Sequence, residues 1–342
     1  MLPGAQVVRL VSAIDTHTAG GPTRVVLAGA LPALARGSAA AQQREFASKH
    51  DALRRLLLCE PRGHAGMYGA VVCASDEPEA DAAVLFLTAG GSGYLQSCVH
   101  SAIGVAAALT QSGAMRPRAG RESLVLETPA GCVSLRPLPA PGAFALRTQP
   151  AFAVPGGALT LHGLTCRFVF SGAMIIYVDV TQPETTEHGL DITDVAAGSR
   201  LGKQLLATAE QYPLAMHHPA TGAPVVPLLV FFFKWLHEHD REGRTVYRSL
   251  VVGRTGVVDR SPCGAGSAGL AALLLYDGKL PLQHSIAVKG VLGTEFEVQV
   301  LERVKQDGVD GCVPEVSGAA FVTGLHQFVL DARDPLSEGF LL

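Results

Sequence analysis

The sequence contains no C-x-x-C pair, no basic tract and no hydrophobic run long enough to cross a bilayer as a helix. Each absence removes a class of protein. The seven cysteines are odd in number and widely spaced, so neither a disulfide framework nor a thiolate zinc site is expected. Free thiols fit a reducing, cytoplasmic setting. A net charge of -3 over 342 residues offers no footprint for nucleic acid. The longest strongly apolar run, Val225 to Phe233, falls far short of the ~20 residues of a spanning helix. It reads instead as a buried strand, with Pro227 near its start or at an edge, and no membrane partner is expected. The opening MLPGAQVVRL lacks a charged segment followed by a long apolar one, so no signal peptide is expected. His217-His218 and His237-x-His239 sit in polar segments without a third ligand, so no metal is expected.

What is present is apolar content, 48% of the chain, enough for two cores. Strands are expected over Val7–Ile14, Arg24–Leu27, Met67–Ala74 and Ala82–Thr88, with a polar loop, THTAGGPT, between the first two. Phe46, Leu53, Leu56 and Leu57 give a helical period over Ala40–Leu58, ended by Glu60-Pro61-Arg62-Gly63-His64. His17, Arg62 and His64 read as structural residues. A pair of short strands follows Ala114. The stretch Pro137–Gly157, rich in proline, alanine and glycine, reads as a domain connection. Beyond it, strands are expected at Arg167–Phe170, Met174–Asp179, Val225–Phe233 and Thr245–Val252, a loop at Gln182–Asp194 and a helix at Leu201–Gln211. Four further strands are expected at Ser285–Val288, Glu295–Leu301, Ala320–Val322 and Gln327–Leu330.

One segment occurs twice. CVHSAIGVAAALTQSG begins at Cys98 and CGAGSAGLAALLLYDG begins 165 residues later (98 and 263). Counted from the cysteine, glycine recurs at offset six (Gly104, Gly269), alanine at eight and nine, leucine at eleven and glycine at fifteen (Gly113, Gly278). Each copy reads as one thin buried helix with a left-handed glycine cap, so each cysteine falls at or just before the first turn. Gly264, Gly266 and Gly269 also fit the dinucleotide spacing G-x-G-x-x-G. The first copy keeps the thiol but not those glycines, and no strand leads straight into them, so that reading is set aside. The bland reading of any one cysteine remains a small buried hydrophobe.

A helix start supplies unpaired N–H groups and positive potential, which favour thiolate over thiol and bind a carboxylate. Two thiols so placed, converging on one small cavity, suit removal of a proton from one face of a carbon and its return to the other. No cofactor is needed in principle. The weak acidity of an amino-acid Cα–H then requires oriented donors on the carboxylate.

These residues resemble the proline racemase and hydroxyproline 2-epimerase family, which shares the diaminopimelate epimerase fold. The resemblance rests on DTHTAGGPTRVV at 15–26, EPRGHAGMYGAV at 60–71, GYLQSCVH at 93–100, DRSPCGAGSAG at 259–269 and the C-terminal segment. It implies an α+β fold of two pseudo-symmetric domains, each with strands wrapped around a central helix: 1–148 carrying Cys98, 149–312 carrying Cys263, and 313–342 returning to the first. It implies Cys98 and Cys263 as acid and base, His100 and Asp259 near the substrate nitrogen, and N–H groups of Val99, His100, Gly264 and Ala265 on the carboxylate. It further implies a homodimer without cofactor acting on a proline-like amino acid. Val99 replaces the family's glycine and would be strained if that position needed φ > 0. Ser97 replaces a methionine, and Ala265 a threonine. Tyr68 resembles the aromatic residue of proline racemases. Val252 is smaller than the aromatic common in racemases and would leave room for a ring hydroxyl, which leans the reading to hydroxyproline. Two alternatives stay open: a trans-3-hydroxyproline dehydratase-type lyase using one thiol, and a non-catalytic binding protein on the same scaffold.

Overall fold

The computed structural model describes residues 7–29, 34–91, 93–118, 120–182, 190–212, 217–218, 222–306 and 308–342. The fold is mixed α/β, rich in strand with few helices. The expectation concerning the first six residues, and that of a loop over 183–189, lie outside the described residues. Among the described residues no helix is long and apolar enough to cross a membrane. The chain divides into two compact units, Met1–Phe144 with Ala319–Leu342, and Ala145–Gly318.

Unit 1 contains β1 (Val7–Thr18), β2 (Gly21–Gly29), α1 (Ala39–Leu58), β3 (Tyr68–Cys73), β4 (Ala82–Thr88), β5 (Tyr94–Leu95), α2 (Val99–Gln111), β6 (Leu124–Thr128) and β7 (Gly131–Pro137). The strand β8 (Ala143–Arg147) crosses the boundary. Unit 2 contains β9 (Phe152–Leu161), β10 (Leu164–Phe170), β11 (Met174–Asp179), α3 (Val195–Ala209), β12 (Pro227–His239), β13 (Thr245–Gly253), α4 (Gly264–Tyr276), β14 (Ser285–Lys289) and β15 (Glu295–Gln306). The last strand, β16 (Val309–Asp331), is shared and pairs with β1 through its second half.

The pairing order repeats. In unit 1, β1 and β2 are antiparallel, β2 and β3 parallel, β3 and β4 antiparallel, β4 and β6 parallel, and β6 and β7 antiparallel. In unit 2, β10 to β15 follow the same alternation. A parallel step needs a crossover, and the crossover helices are α1 and α2 in unit 1, α3 and α4 in unit 2. The duplicated cysteine segments are therefore the second crossover helix of each unit. Both are apolar on every side and buried throughout their first eleven residues apart from Ala265, as an all-round hydrophobic helix must be. Both close with a left-handed glycine, Gly113 and Gly278, each at φ +71°.

Several expectations need correction. THTAGGPT is not a loop. β1 continues to Thr18 and turns into β2 through Ala19 and Gly20 alone, both with positive φ, the conformation a two-residue hairpin requires. The boundary between the units does fall within Pro137–Gly157, between Phe144 and Ala145, but the stretch is structured: it holds β8 and half of β9, with its prolines mostly at strand ends or in turns. α3 starts six residues before the expected helix, where the Asp194 carboxylate caps the Ala197 N–H at 2.9 Å. The two short C-terminal strands are parts of the single 23-residue β16.

Candidate active site

Each unit presents a thiol at a helix start. In unit 1, Cys98 is the N-cap of α2 in an extended conformation and is 8% exposed. Its Sγ lies 3.2 Å from Ser101 Oγ and 3.6 Å from His100 Nδ1. The hydroxyl of Thr23 donates to Ser101 Oγ at 3.1 Å, and that of Thr18 to the His100 carbonyl at 2.8 Å. Tyr68, at the start of β3, meets the His100 ring edge-on, with centroids 4.5 Å apart. Gly104 lets this layer close: a Cβ there would lie 2.6 Å from Thr16 Oγ1.

This setting separates Cys98 from the other cysteines whose titration is perturbed. Burial pushes Cys73 up to about 11, and it pushes Cys166 and Cys312 up to about 12. Burial also pushes Cys98 up, but charge on His100 and hydrogen bonds from His100 and Ser101 outweigh it, so the thiol falls below its ordinary value.

In unit 2, Cys263 is the N-cap of α4 and is 5% exposed. Its backbone is left-handed, φ 62° and ψ 100°, a conformation that costs of order 1–3 kcal/mol outside glycine and tends to cluster at functional sites. Neighbouring groups hold it there. The Cys263 N–H donates to Ser261 Oγ at 3.1 Å, and both the N–H and the hydroxyl of Ser261 donate to Asp259 Oδ1 at 2.9 Å. The Gly266 N–H donates to Cys263 Sγ at 3.4 Å. Tyr177, fully buried, donates to the Gly266 carbonyl at 2.7 Å. Burial and the neighbouring Cys263 push its phenol well above the ordinary value. Gly269, the counterpart of Gly104, makes room for that hydroxyl, since a Cβ there would lie 2.1 Å from it.

Val99 and His100 are the first two helical residues of α2, Gly264 and Ala265 those of α4. N–H groups at such positions have no acceptor within the helix and suit an anion. Val99 is helical, so valine meets no strain there. Val252 does not shape a pocket: it is fully buried in the core of unit 2, against Gly202 of α3. Its small size therefore leaves no room for a ring hydroxyl. Ser101, Ser261, Thr18 and Thr23 were not singled out from sequence. The two threonines lie within DTHTAGGPT, and strand alternation would have found them had β1 been carried through to Thr18.

Among the described residues no cluster of three His, Cys, Asp or Glu could hold a metal ion. Away from the two thiols, His17 stacks on Phe321 and accepts from the Gly20 N–H, while His218 packs on Phe170.

The family model described as "Proline racemase" matches residues 13–341. A proline racemase of Clostridioides difficile is 30% identical over 98% of both chains. A 4-hydroxyproline 2-epimerase of Streptosporangium roseum is 32% identical over 98% of this chain and 99% of its own. A trans-3-hydroxy-L-proline dehydratase of Bacillus cereus is 28% identical with the same coverage. Among solved structures, a probable proline racemase from Agrobacterium radiobacter, with bound carbonate, matches with a TM-score of 0.81 and 26% identity. That match covers 97% of this chain and 96% of the other.

Proposed function

The chain belongs to the proline racemase family, and from that premise we propose a cofactor-independent isomerase that inverts Cα of free proline or 4-hydroxyproline with Cys98 and Cys263 as its two acid–base groups. The observation that carries this reading is the placement of a thiol at the N-cap of the equivalent crossover helix in each unit. A fold of two pseudo-symmetric halves, of the diaminopimelate epimerase type, is part of the same proposal, and the repeated pairing order supports it.

Cys98 is the base in one direction of turnover, because His100 and Ser101 favour its charged form. It takes the Hα proton, and the Cys263 thiol delivers a proton to the opposite face of the carbon. One thiol and one thiolate remain with their roles exchanged, so the other enantiomer is turned over in reverse. N–H groups of Val99, His100, Gly264 and Ala265 hold the carboxylate as negative charge builds on it. Asp259 accepts from the ring ammonium; its bonds to Ser261 both fall on Oδ1, which leaves Oδ2 for that contact. His100 flanks the same nitrogen, and Tyr68 packs behind it.

Incubating proline and hydroxyproline stereoisomers with the enzyme in D₂O tests this by NMR. We expect deuterium at Cα together with the inverted isomer. Cys98→Ser and Cys263→Ser should each lower the rate by ~10²-fold or more, the scale of acid–base catalysis. Retention of most activity in either variant would overturn the two-base assignment. A second reading, removal of water from 3-hydroxyproline, draws support from the similarity to the dehydratase. Mass separates the two, because an epimer keeps it and a dehydrated product does not. Absence of Cα exchange with every stereoisomer would leave only a binding protein. The homodimer expected from the resemblance is tested by sedimentation.

A further inference from the structure

Three buried serines tie down the loop that leads into Cys263. Ser249, Ser261 and Ser267 are each at most 1% exposed, so each hydroxyl needs a partner within the protein. Ser267, near the start of α4, donates to the Pro262 carbonyl at 3.0 Å. Ser249 of β13 has its hydroxyl 3.5 Å from the same carbonyl and 3.4 Å from that of Lys289. Gly290 gives the loop its room, since a Cβ there would lie 2.9 Å from the Pro262 nitrogen. Ser249 and Ser267 thus anchor the loop to a neighbouring strand and to the helix. The hydroxyl of Ser261 differs, because its bonds run along the loop, to Asp259 behind it and Cys263 ahead.

The direction of those bonds follows from the groups involved. A carboxylate only accepts, and a hydroxyl has one proton to give. The Ser261 proton therefore goes to Asp259 Oδ1, at 2.9 Å, and a lone pair is left for the Cys263 N–H, at 3.1 Å. The Ser261 N–H donates to the same Oδ1, also at 2.9 Å. Asp259 is thus held by two donors of one residue, and of the two only the hydroxyl reaches on to Cys263. Cys263 needs such a hold. Its φ of 62° is unfavourable for a residue with a Cβ, and the direction of its sulfur depends on that backbone. The sulfur has little slack: a Cβ on Gly266 would lie 3.2 Å from it.

We infer that Ser261 is a positioning residue, one that aims the Cys263 thiol by carrying the placement of Asp259 to the Cys263 backbone. This role rests on the two-thiol reading above, and the test lets the two fail separately. Deuterium at Cα and inversion are followed in D₂O from each isomer of the substrate, for the parent, Ser261→Ala and Ser249→Ala. Ser261→Ala keeps the backbone N–H on Asp259, so KM should hold. Its kcat for inversion should fall by about tenfold to a hundredfold in both directions, the scale of a small misplacement. Cys98 is left in place. From the isomer whose Hα faces Cys98, that thiolate should still take the proton, exchange it with solvent and return deuterium to the same face. The recovered starting isomer then gains deuterium faster than it inverts. From the other isomer, where Cys263 is the base, exchange and inversion should fall together. Ser249→Ala should leave kcat and the exchange pattern as in the parent. Inversion by Ser261→Ala at the parent's rate would overturn the role while leaving the two-thiol reading intact. So would a raised KM with kcat unchanged, an equal loss of exchange from both isomers, or the same pattern in Ser249→Ala. A parent that inverts no isomer would overturn both.

Discussion

Cys98 and Cys263 cap equivalent helices, yet their surroundings differ. Cys98 has a hydroxyl and an imidazole beside its sulfur; Cys263 has an amide N–H and a left-handed backbone pinned through Ser261 to Asp259. The Thr23–Ser101 pair makes Ser101 a positioning residue for the first thiol. Its hydroxyl lowers the Cys98 pKa, so Ser101→Ala should raise it. A base must be deprotonated to act, so the alkaline rise in the pH–rate profile for the direction in which Cys98 is base should move to higher pH. Activity near neutrality should fall with it. Ultraviolet thiolate absorbance, compared with Cys98→Ser, should report the same upward shift without turnover. An unmoved titration would remove Ser101 from the mechanism. The candidate thiols were legible in the sequence because a repeated motif exposed them. Their hydroxyl partners were not, because single serines and threonines carry no pattern of their own.

At the scale of elements, α2 and α4 are thin because strand side chains need the space. Gly269→Ala would drive a methyl into the Tyr177 hydroxyl and break its bond to Gly266. Overpacking and a lost buried hydrogen bond each cost ~1–3 kcal/mol, so a loss of ~2–6 kcal/mol is expected by denaturant titration. Adding Tyr177→Phe removes the group that clashes and should recover part of that loss; strict additivity of the two changes would refute the contact. Helices α2 and α4 could be read in advance, because periodicity and capping act within a few residues. β8 and the first half of β9 could not, because their prolines and glycines mark turns more strongly than they mark strands.

At the scale of the whole molecule, Arg24 gathers distant segments of unit 1. It pairs with Asp15 across β1 and β2 at 2.8 and 2.9 Å and donates to the carbonyls of Leu57 and Arg62. Its guanidinium also lies 4.1 Å from the Phe328 ring centroid. Two motifs that carry the family resemblance are thus joined by one side chain in a structural role. Arg24→Ala would leave the largely buried Asp15 with only His326, 3.3 Å away, beside its carboxylate, and removing one partner of a buried pair costs up to ~3–5 kcal/mol. Loss of that order is expected by denaturant titration, with a smaller loss for Asp15→Asn, which keeps one oxygen acceptor for Arg24 in place. Equal stability of Arg24→Ala and the parent would refute the role.

By itself the sequence determined two buried helices, each opened by a cysteine and closed by a glycine, because cap chemistry and helical period depend on neighbours within a turn or two. It also determined most of the strands, through runs of apolar and β-branched residues. Only the tertiary structure decided which groups approach each thiol. Thr23 reaches Ser101 across 78 positions and Tyr177 reaches Gly266 across 89, and strand register sets both. Register is a property of the whole sheet, since a slip of one residue turns every side chain to the other face. For the same reason Val252 belongs to the core.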